Sequence, residues 1–389
     1  MGMKQLLFLG VILILLATKC QNGVTKQTFN VHKNPIDTIF HRAALKGVFA
    51  SLESLKTSPD SIFSIFHIGD SHIEIGQFSG EIKNQLESKY GKSEEAWMYP
   101  YQFFNVHSQK VFPIDTIGTW KRASIKDPHD QYPLGITGLG FYLSSETGKL
   151  IFSTNSNYKS IDKISFLHFY DGEPLAIQVE NGKIHTQVIS KNTAITEITF
   201  SNSDKKRIIH FNKSTSLLIY AMKLNSYPRR GISYHKFGVA GSTLKQFVNN
   251  TPLFMEQLRA FKPNLLIVSL GTNDSYIDSL NEEKLLKEVR MFTEKVSRYS
   301  SKTAILFTTA PDTKYEDRRP ERLTEVNRVI RTIATENPSI ALWDLQHIMG
   351  GDGSIDAWIK KNYLIFDHLH FTTAGYKLQG ELFMEALYK

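Results

Sequence analysis

The sequence predicts an α/β protein: a parallel sheet with helices on both faces, a three-layer α/β/α sandwich, carrying an inserted all-β sandwich. Three observations point there. A strand-like run leads into a helical one at residues 61–90. Strand and helix patterns alternate again from about residue 234 to the end. Between about residues 111 and 222 only strand-like runs occur. Repeated strand–helix units imply parallel pairing. The β-rich block falls after the first unit, so it interrupts one α/β domain.

The elements follow in order. A helical pattern covers Ile36–Leu55. Ser61–Ile68 is a short apolar run rich in β-formers, bounded by Pro59-Asp60 and Gly69-Asp70, and it reads as a buried strand. A helix is expected from Gly76 to Tyr90. Inside the insertion, Ile161–Tyr170, Leu175–Val179, Ile195–Phe200 and Leu217–Tyr220 have strand composition. Asp171-Gly172, Asn181-Gly182 and Ser201–Asp204 supply turns between them. Next come strands at His235–Val239, Leu265–Leu270, Ala304–Thr308 and Ile340–Trp343. Helices are expected over Leu244–Phe261, Glu282–Tyr299, Glu321–Glu336 and Thr373–Tyr388. The expected domains are 36–106 with 233–389 for the α/β unit and 107–232 for the insertion.

Composition narrows the class. The chain has 389 residues, 41% hydrophobic and 22% charged, which suits a folded protein and excludes wholesale disorder. The formal charge is +8 without any dense Lys/Arg block, so no nucleic-acid signature is present. Leu6–Ala17 is a short apolar run behind Lys4, as in an export signal. Cys20 is the only cysteine, so no intramolecular disulfide can form. A lone cysteine just behind a signal core resembles the lipid-attachment site of bacterial lipoproteins. Lys19 departs from that pattern, and a plain signal with an incidental cysteine is the alternative. Residues 1–20 are thus expected as a signal and 21–35 as a tether to the cell envelope.

In parallel sheets, active sites form beyond the carboxyl ends of the strands. Four clusters stand at such ends: Gly69-Asp-Ser-His72, Gly238-Val-Ala-Gly-Ser-Thr243, Gly271-Thr-Asn-Asp274 and, before the last helix, Asp367-His-Leu-His370. Ser71 would sit at a strand-to-helix turn, where a helix N-terminus favours a developing oxyanion. Gly241 has no side chain to keep its N–H from a ligand. Asn273 offers an amide N–H. His370 is a candidate general base, with Asp367 to orient the ring. Each has an ordinary alternative, as a helix cap, a turn residue or a surface ion pair. Four in this order are hard to assign to chance.

Together these blocks resemble the GDSL/SGNH hydrolase family, through Phe66–His72, Gly238–Gly241, Gly271–Asp274 and Asp367–His370. His72 replaces the usual leucine, a form similar to bacterial enzymes acting on cell-wall or polysaccharide acetyl groups. The resemblance covers residues 60–90 and 232–389. It implies an SGNH, flavodoxin-like fold and a Ser71–His370–Asp367 triad. It also implies an oxyanion hole from Ser71 N–H, Gly241 N–H and Asn273. Some peptidoglycan O-acetylesterases are similar in carrying a β-module between the first two blocks. The implied substrate is an acylated glycan or peptidoglycan, and neither metal nor other cofactor is implied.

Weaker candidates are His72 and Asp312 as substrate contacts, and Trp120, Trp343 and Trp358 as sugar-stacking residues, each with packing or a turn as the alternative. Three other functions compete. A metal phosphoesterase would use His67, Asp70, His72, Asp274, His368 and His370, but no second Asp-rich strand end supplies a bridging carboxylate. A glycan-binding lipoprotein would have lost catalysis, yet every catalytic residue type is present. Acyl transfer to a sugar would use the same acyl-enzyme.

The anchor expectation has a direct check. The mature chain should partition with membranes, and Cys20→Ala should release it; a wild-type chain found wholly in the soluble fraction would refute the anchor.

Overall fold

The computed structural model describes residues 39–58, 61–93, 96–99, 113–127, 133–154, 160–214, 217–224 and 230–389. The expected signal, Cys20, the tether and the first residues of the first expected helix lie outside these. Among the described residues no helix is long and apolar enough to cross a membrane.

The chain opens with α1 (Lys46–Ser54), preceded by a 3-10 turn, and enters β1 (Ile62–Gly69). Two helices follow, α2 (Ser71–Ile75) and α3 (Gln77–Tyr90). They are separated at Gly76, whose φ of +80° ends the first. The insertion holds β2 (Ile114–Ile117), β3 (Trp120–Ser124), β4 (Leu139–Leu143), β5 (Thr147–Ser153) and β6 (Lys163–Phe169). It continues with β7 (Ile177–Val179), β8 (Gly182–Ser190), β9 (Thr193–Phe200), β10 (Lys206–Asn212) and β11 (Ile219–Leu224). Then β12 (Gly231–Gly238) leads to α4 (Leu244–Asn249) and α5 (Thr251–Phe261). After β13 (Leu265–Ser269) come α6 (Glu282–Tyr299), β14 (Ala304–Thr308), α7 (Leu323–Glu336) and β15 (Ile340–Trp343). Helices α8 (Leu345–Met349), α9 (Ile355–Lys360) and α10 (Thr373–Tyr388) close the chain.

Two expectations change in detail. The single helix expected over Leu244–Phe261 is two, because Pro252 lacks the N–H a continuous helix needs and Asn250 leaves helical geometry at ψ +50°. The short helices α8 and α9 occupy a stretch where the pattern gave no helix.

The α/β unit is a five-stranded sheet in the order β12–β1–β13–β14–β15, parallel at every pairing. Both faces are covered. Phe63 and Ile65 of β1 face a core shared with Leu52, Ile82, Tyr376 and Phe383. Phe66 and Ile68 face the other, with Phe254, Val289, Val326 and Ile330. Alternating side chains thus both find apolar partners, which is why β1 reads as a nearly unbroken apolar run.

One polar residue crosses this core. His67 is fully buried; its Nδ1 lies 2.6 Å from the Tyr234 hydroxyl and its Nε2 2.8 Å from Ser269 Oγ. Thr308 Oγ1 donates to Ser269 Oγ at 2.9 Å. The chain of side chains runs across β12, β1, β13 and β14, so the polar group is satisfied inside the sheet.

The insertion consists of two antiparallel sheets, β2–β5–β10–β7 and β3–β4–β11–β6–β9–β8. They meet face to face through Phe152 against Phe166, Phe166 against Phe211 and Trp120 against Phe211, at ring separations of 6.2, 5.7 and 5.2 Å. Its apolar interior does not stop at the α/β unit: Phe141, Phe166 and Ile219 belong to the same continuous core as Phe66, Phe237, Leu244 and Phe247. Polar ties reinforce the seam. Ile136 N–H donates to Gln257 Oε1 of α5 at 2.9 Å, and Ser190 Oγ donates to Glu256 at 3.0 Å. The insertion is therefore built onto the sheet's helices rather than tethered to them. Trp343 and Trp358 are buried among aromatics, which is the packing alternative for both.

Burial fixes a sign for pH. Desolvation lowers His67 to about 3, below its ordinary 6.5, so the folded protein keeps it neutral where the unfolded chain would be protonated. The unfolded state binds more protons between pH 6.5 and 3, and the contribution of His67 to stability is lost as pH falls through that window. His67→Gln should reduce the slope of unfolding free energy between pH 6 and 4 by about 1 kcal/mol per pH unit. Chemical denaturation at several pH values measures it, and parallel slopes would refute the assignment.

Candidate active site

Three strands end side by side. Gly69 of β1 is in register with Gly238 of β12 and Ser269 of β13, so the loops after them converge. Gly238 must be glycine: a Cβ there would stand 2.1 Å from the backbone nitrogen of Glu74. Its absence lets the end of β12 close against α2.

Ser71 is the first residue of α2, where backbone N–H groups have no intrahelical partner. Asp70 caps the helix by accepting from His72 N–H at 3.0 Å. Burial pushes Asp70 up to about 7, opposed by the bonds from His72 N–H and the Thr272 hydroxyl.

The loop before α10 brings its two groups to Ser71. Asp367 Oδ1 accepts from Leu369 N–H and His370 N–H, both at 2.9 Å, which folds the Asp-x-x-His segment into a tight turn. Its Oδ2 lies 2.7 Å from His370 Nδ1, and His370 Nε2 lies 2.8 Å from Ser71 Oγ. A carboxylate facing Nδ1 holds the proton there, so Nε2 is the acceptor and the serine hydroxyl donates. Partial burial alone would raise Asp367. The bonds from the His370 ring and the two N–H groups outweigh it and hold the acid below its ordinary range. The side chains of His370 and Asp367 stay 21% and 18% exposed, so the chain of bonds lies at the surface of the cleft.

In the loop after β12, Gly241 adopts φ +74°, a conformation that favours glycine. Asn273 Nδ2 donates to Ser242 O at 2.9 Å, which ties the asparagine block to the glycine loop and leaves the second amide hydrogen for a ligand. Asp274 is buried and accepts from Leu244 N–H and Lys245 N–H at 2.6 and 3.2 Å. It fastens the start of α4 to the same block. Burial lifts it to about 6 even so.

The structure thus gathers Ser71, His370 and Asp367 into one hydrogen-bonded chain and links Gly241 and Asn273 through Ser242. Other expected contacts stand elsewhere. Asp312 is fully buried; it accepts from Arg319 Nη2 at 3.0 Å and from Ile355 N–H at 2.9 Å, so it anchors the start of α9. The expectation for His72 changes too. Its ring is buried beneath His370, with Nδ1 2.8 Å from the Tyr376 hydroxyl. Desolvation lowers it to about 3, so it supports the site as a neutral ring. The residues of the metal reading do not form one set. His67 bonds within the sheet, His368 pairs with Asp317 at 3.4 Å, and among the described residues no three His, Cys, Asp or Glu side chains form a ligand set.

A family model supplies the deciding comparison. Residues 218–378 match the GDSL-like Lipase/Acylhydrolase family. The match runs from the start of β11 through the asparagine and histidine blocks, and Ser71, at the start of α2, lies outside the matched stretch. A peptidoglycan O-acetylesterase of known structure is similar at a TM-score of 0.72 and 21% identity, covering 89% of this chain and 96% of its own. The lipase/acylhydrolase from Enterococcus faecalis aligns over 41% of this chain and 77% of its own, at 17% identity and a TM-score of 0.32. An acetyl xylan esterase aligns over 40% of this chain and 81% of its own, at 16% identity and the same score. The first likeness shows the fold alone, over most of both chains. No curated protein sequence matches significantly.

One supporting residue escaped the sequence reading. Glu74 of α2 accepts from Ala240 N–H at 2.6 Å, the peptide just before Gly241, while Lys236 Nζ donates to Glu74 O at 2.8 Å. Its position, three residues after Ser71, reads in sequence only as an acid favoured near a helix start. Glu74→Ala should lower kcat about tenfold by freeing the glycine loop, since small displacements of positioning groups are costly. Glu74→Gln, which keeps an acceptor, should retain a larger share. Steady-state kinetics on an aryl acetate would show it, and equal activity in both variants and the wild type would refute the role.

Proposed function

We propose that this ester hydrolase removes acetyl groups from peptidoglycan or a related envelope glycan through an acyl-enzyme on Ser71. The observation that carries the reading is the continuous bond chain from Ser71 Oγ through His370 to Asp367. The likeness to a peptidoglycan O-acetylesterase over most of both chains supports the substrate class.

In the proposed cycle, His370 Nε2 takes the Ser71 proton as Oγ attacks the ester carbonyl carbon. Asp367 stabilises the imidazolium. The carbonyl oxygen becomes an oxyanion facing Ser71 N–H, Gly241 N–H and the Asn273 amide. Collapse breaks the bond to the sugar oxygen, and His370 returns the proton to that oxygen. Water then loses a proton to His370 and attacks the acetyl-serine. Acetate leaves, and Ser71 recovers its proton. If a sugar hydroxyl replaced water in the second half, the same groups would transfer the acetyl group.

The surroundings favour a polymer. The bond chain lies at an open surface, and Phe366, immediately before Asp367, is 92% exposed and placed to stack on a sugar ring. A cavity of about 710 Å³ beside Ser190, Glu256, Arg259 and Tyr299 holds none of the proposed catalytic groups. Export and a lipid on Cys20 belong to the same proposal, since an envelope substrate requires an enzyme outside the cytoplasm.

Acetate release from O-acetylated peptidoglycan tests the reading. Ser71→Ala and His370→Ala should abolish it, and a serine-directed organophosphorus reagent should label Ser71. Asn273→Ala should lose about a hundredfold or more in kcat. EDTA should have little effect. Full activity in Ser71→Ala, with loss on chelation, would replace the serine mechanism by the metal one.

A further inference from the structure

The insertion brings one charged side chain to the oxyanion side of the cleft. Lys126 lies in the turn after β3. A Cβ built on Gly241 would stand 2.7 Å from Lys126 Nζ and 3.2 Å from its Cε, so the lysine end lies across the glycine that the proposed mechanism uses as a donor. The turn is held in place. Ile125 N–H donates to Gly138 O and Asp127 N–H to Ser124 O, both at 2.9 Å, and Lys126 N–H donates to Ser124 Oγ at 3.3 Å. The Lys126 side chain itself is exposed, and no described residue bonds or pairs with its ammonium. A fixed backbone thus carries a cation without an internal counter-charge to a point beside Gly241.

An open groove of about 550 Å³ starts at the same turn. Ile125, Asp127 and Leu134 of the insertion form one wall, and Thr243, Lys245 and Asn249 form the other. A polymer whose ester reached Ser71 could continue along this groove, and the group passing Gly241 would meet Lys126 first.

We infer that Lys126 is a specificity-determining residue whose ammonium binds a carboxylate on the acylated glycan close to the reacting ester, so that acidic polymers are preferred to neutral ones. The inference rests on the esterase reading of the Ser71 site. The carboxylate could come from a peptide stem or from a uronic acid, and the recognition chemistry is the same for both.

The test uses the full chain and three substrates: O-acetylated peptidoglycan fragments, O-acetylated polygalacturonate and neutral acetylated xylo-oligosaccharides. The wild type should prefer at least one acidic substrate, and added salt should shrink that preference. Lys126→Gln should lower the ratio of acidic to neutral kcat/KM about fivefold, chiefly through KM, as expected for one exposed ion pair. Lys126→Arg should restore most of it. A response with peptidoglycan alone would assign the stem carboxylates, and a response with both acidic substrates would assign the carboxylate generally. Equal losses on all three substrates would overturn the inference in favour of a direct effect on the oxyanion. No preference in the wild type would overturn it too. Acetate release that depends on Ser71 but ignores Lys126 would sink this inference alone, whereas no release from any substrate would sink the esterase reading as well.

Discussion

The parallel pairing of β1 with both β12 and β13 is the constraint on which everything else depends. These strands are separated in sequence by the whole insertion, yet Gly69 pairs with Gly238 on one side and Ser269 on the other. Because parallel registers place strand ends together, the serine, glycine and asparagine loops emerge at one edge. The polar chain through Tyr234, His67, Ser269 and Thr308 adds directional bonds across the same strands. A slip of one residue would turn His67 to the opposite face and separate Ser71 from Gly241.

Above this sheet edge, each proposed reacting group is held by a neighbour that does not react. Asp70 caps the Ser71 helix, Glu74 holds the peptide before Gly241, and Asp274 fastens α4 to the asparagine loop. Three acids thus orient backbone N–H groups within a few residues of the cleft. Their burial costs are visible in Asp70 and Asp274, both pushed up from the ordinary carboxylate range. Asp367, with bonds to two N–H groups and the His370 ring, goes the other way. Burial thus lifts Asp70 and Asp274, while hydrogen bonding holds the acid beside the histidine down.

The insertion is joined to this machinery by an apolar core that continues from Phe141 and Phe166 to Phe237 and Leu244. It is also joined by polar contacts to α5. That continuity is why a turn of the insertion can bring Lys126 beside Gly241. A module on a loose linker could not hold that turn at such a spot.

The sequence alone determined the sheet strands and most of the long helices, because buried β runs and amphipathic helices leave periodic apolar patterns. It also marked Ser71, Gly241, Asn273, Asp367 and His370, since strand ends and short polar motifs are local features. Local pattern could not say where a side chain goes when its partner is distant. Asp312 looked like a cleft residue because it follows β14, yet Arg319 and the start of α9 claim its carboxylate. His72 stands next to Ser71 in the chain but turns beneath His370 to meet Tyr376, 304 residues away. Glu74 and Lys126 carried no motif at all. Their positions depend on β12 closing against α2 and on the insertion packing against α4 and α5. Only the folded chain decides those contacts, because they join segments that share no local pattern and meet through burial.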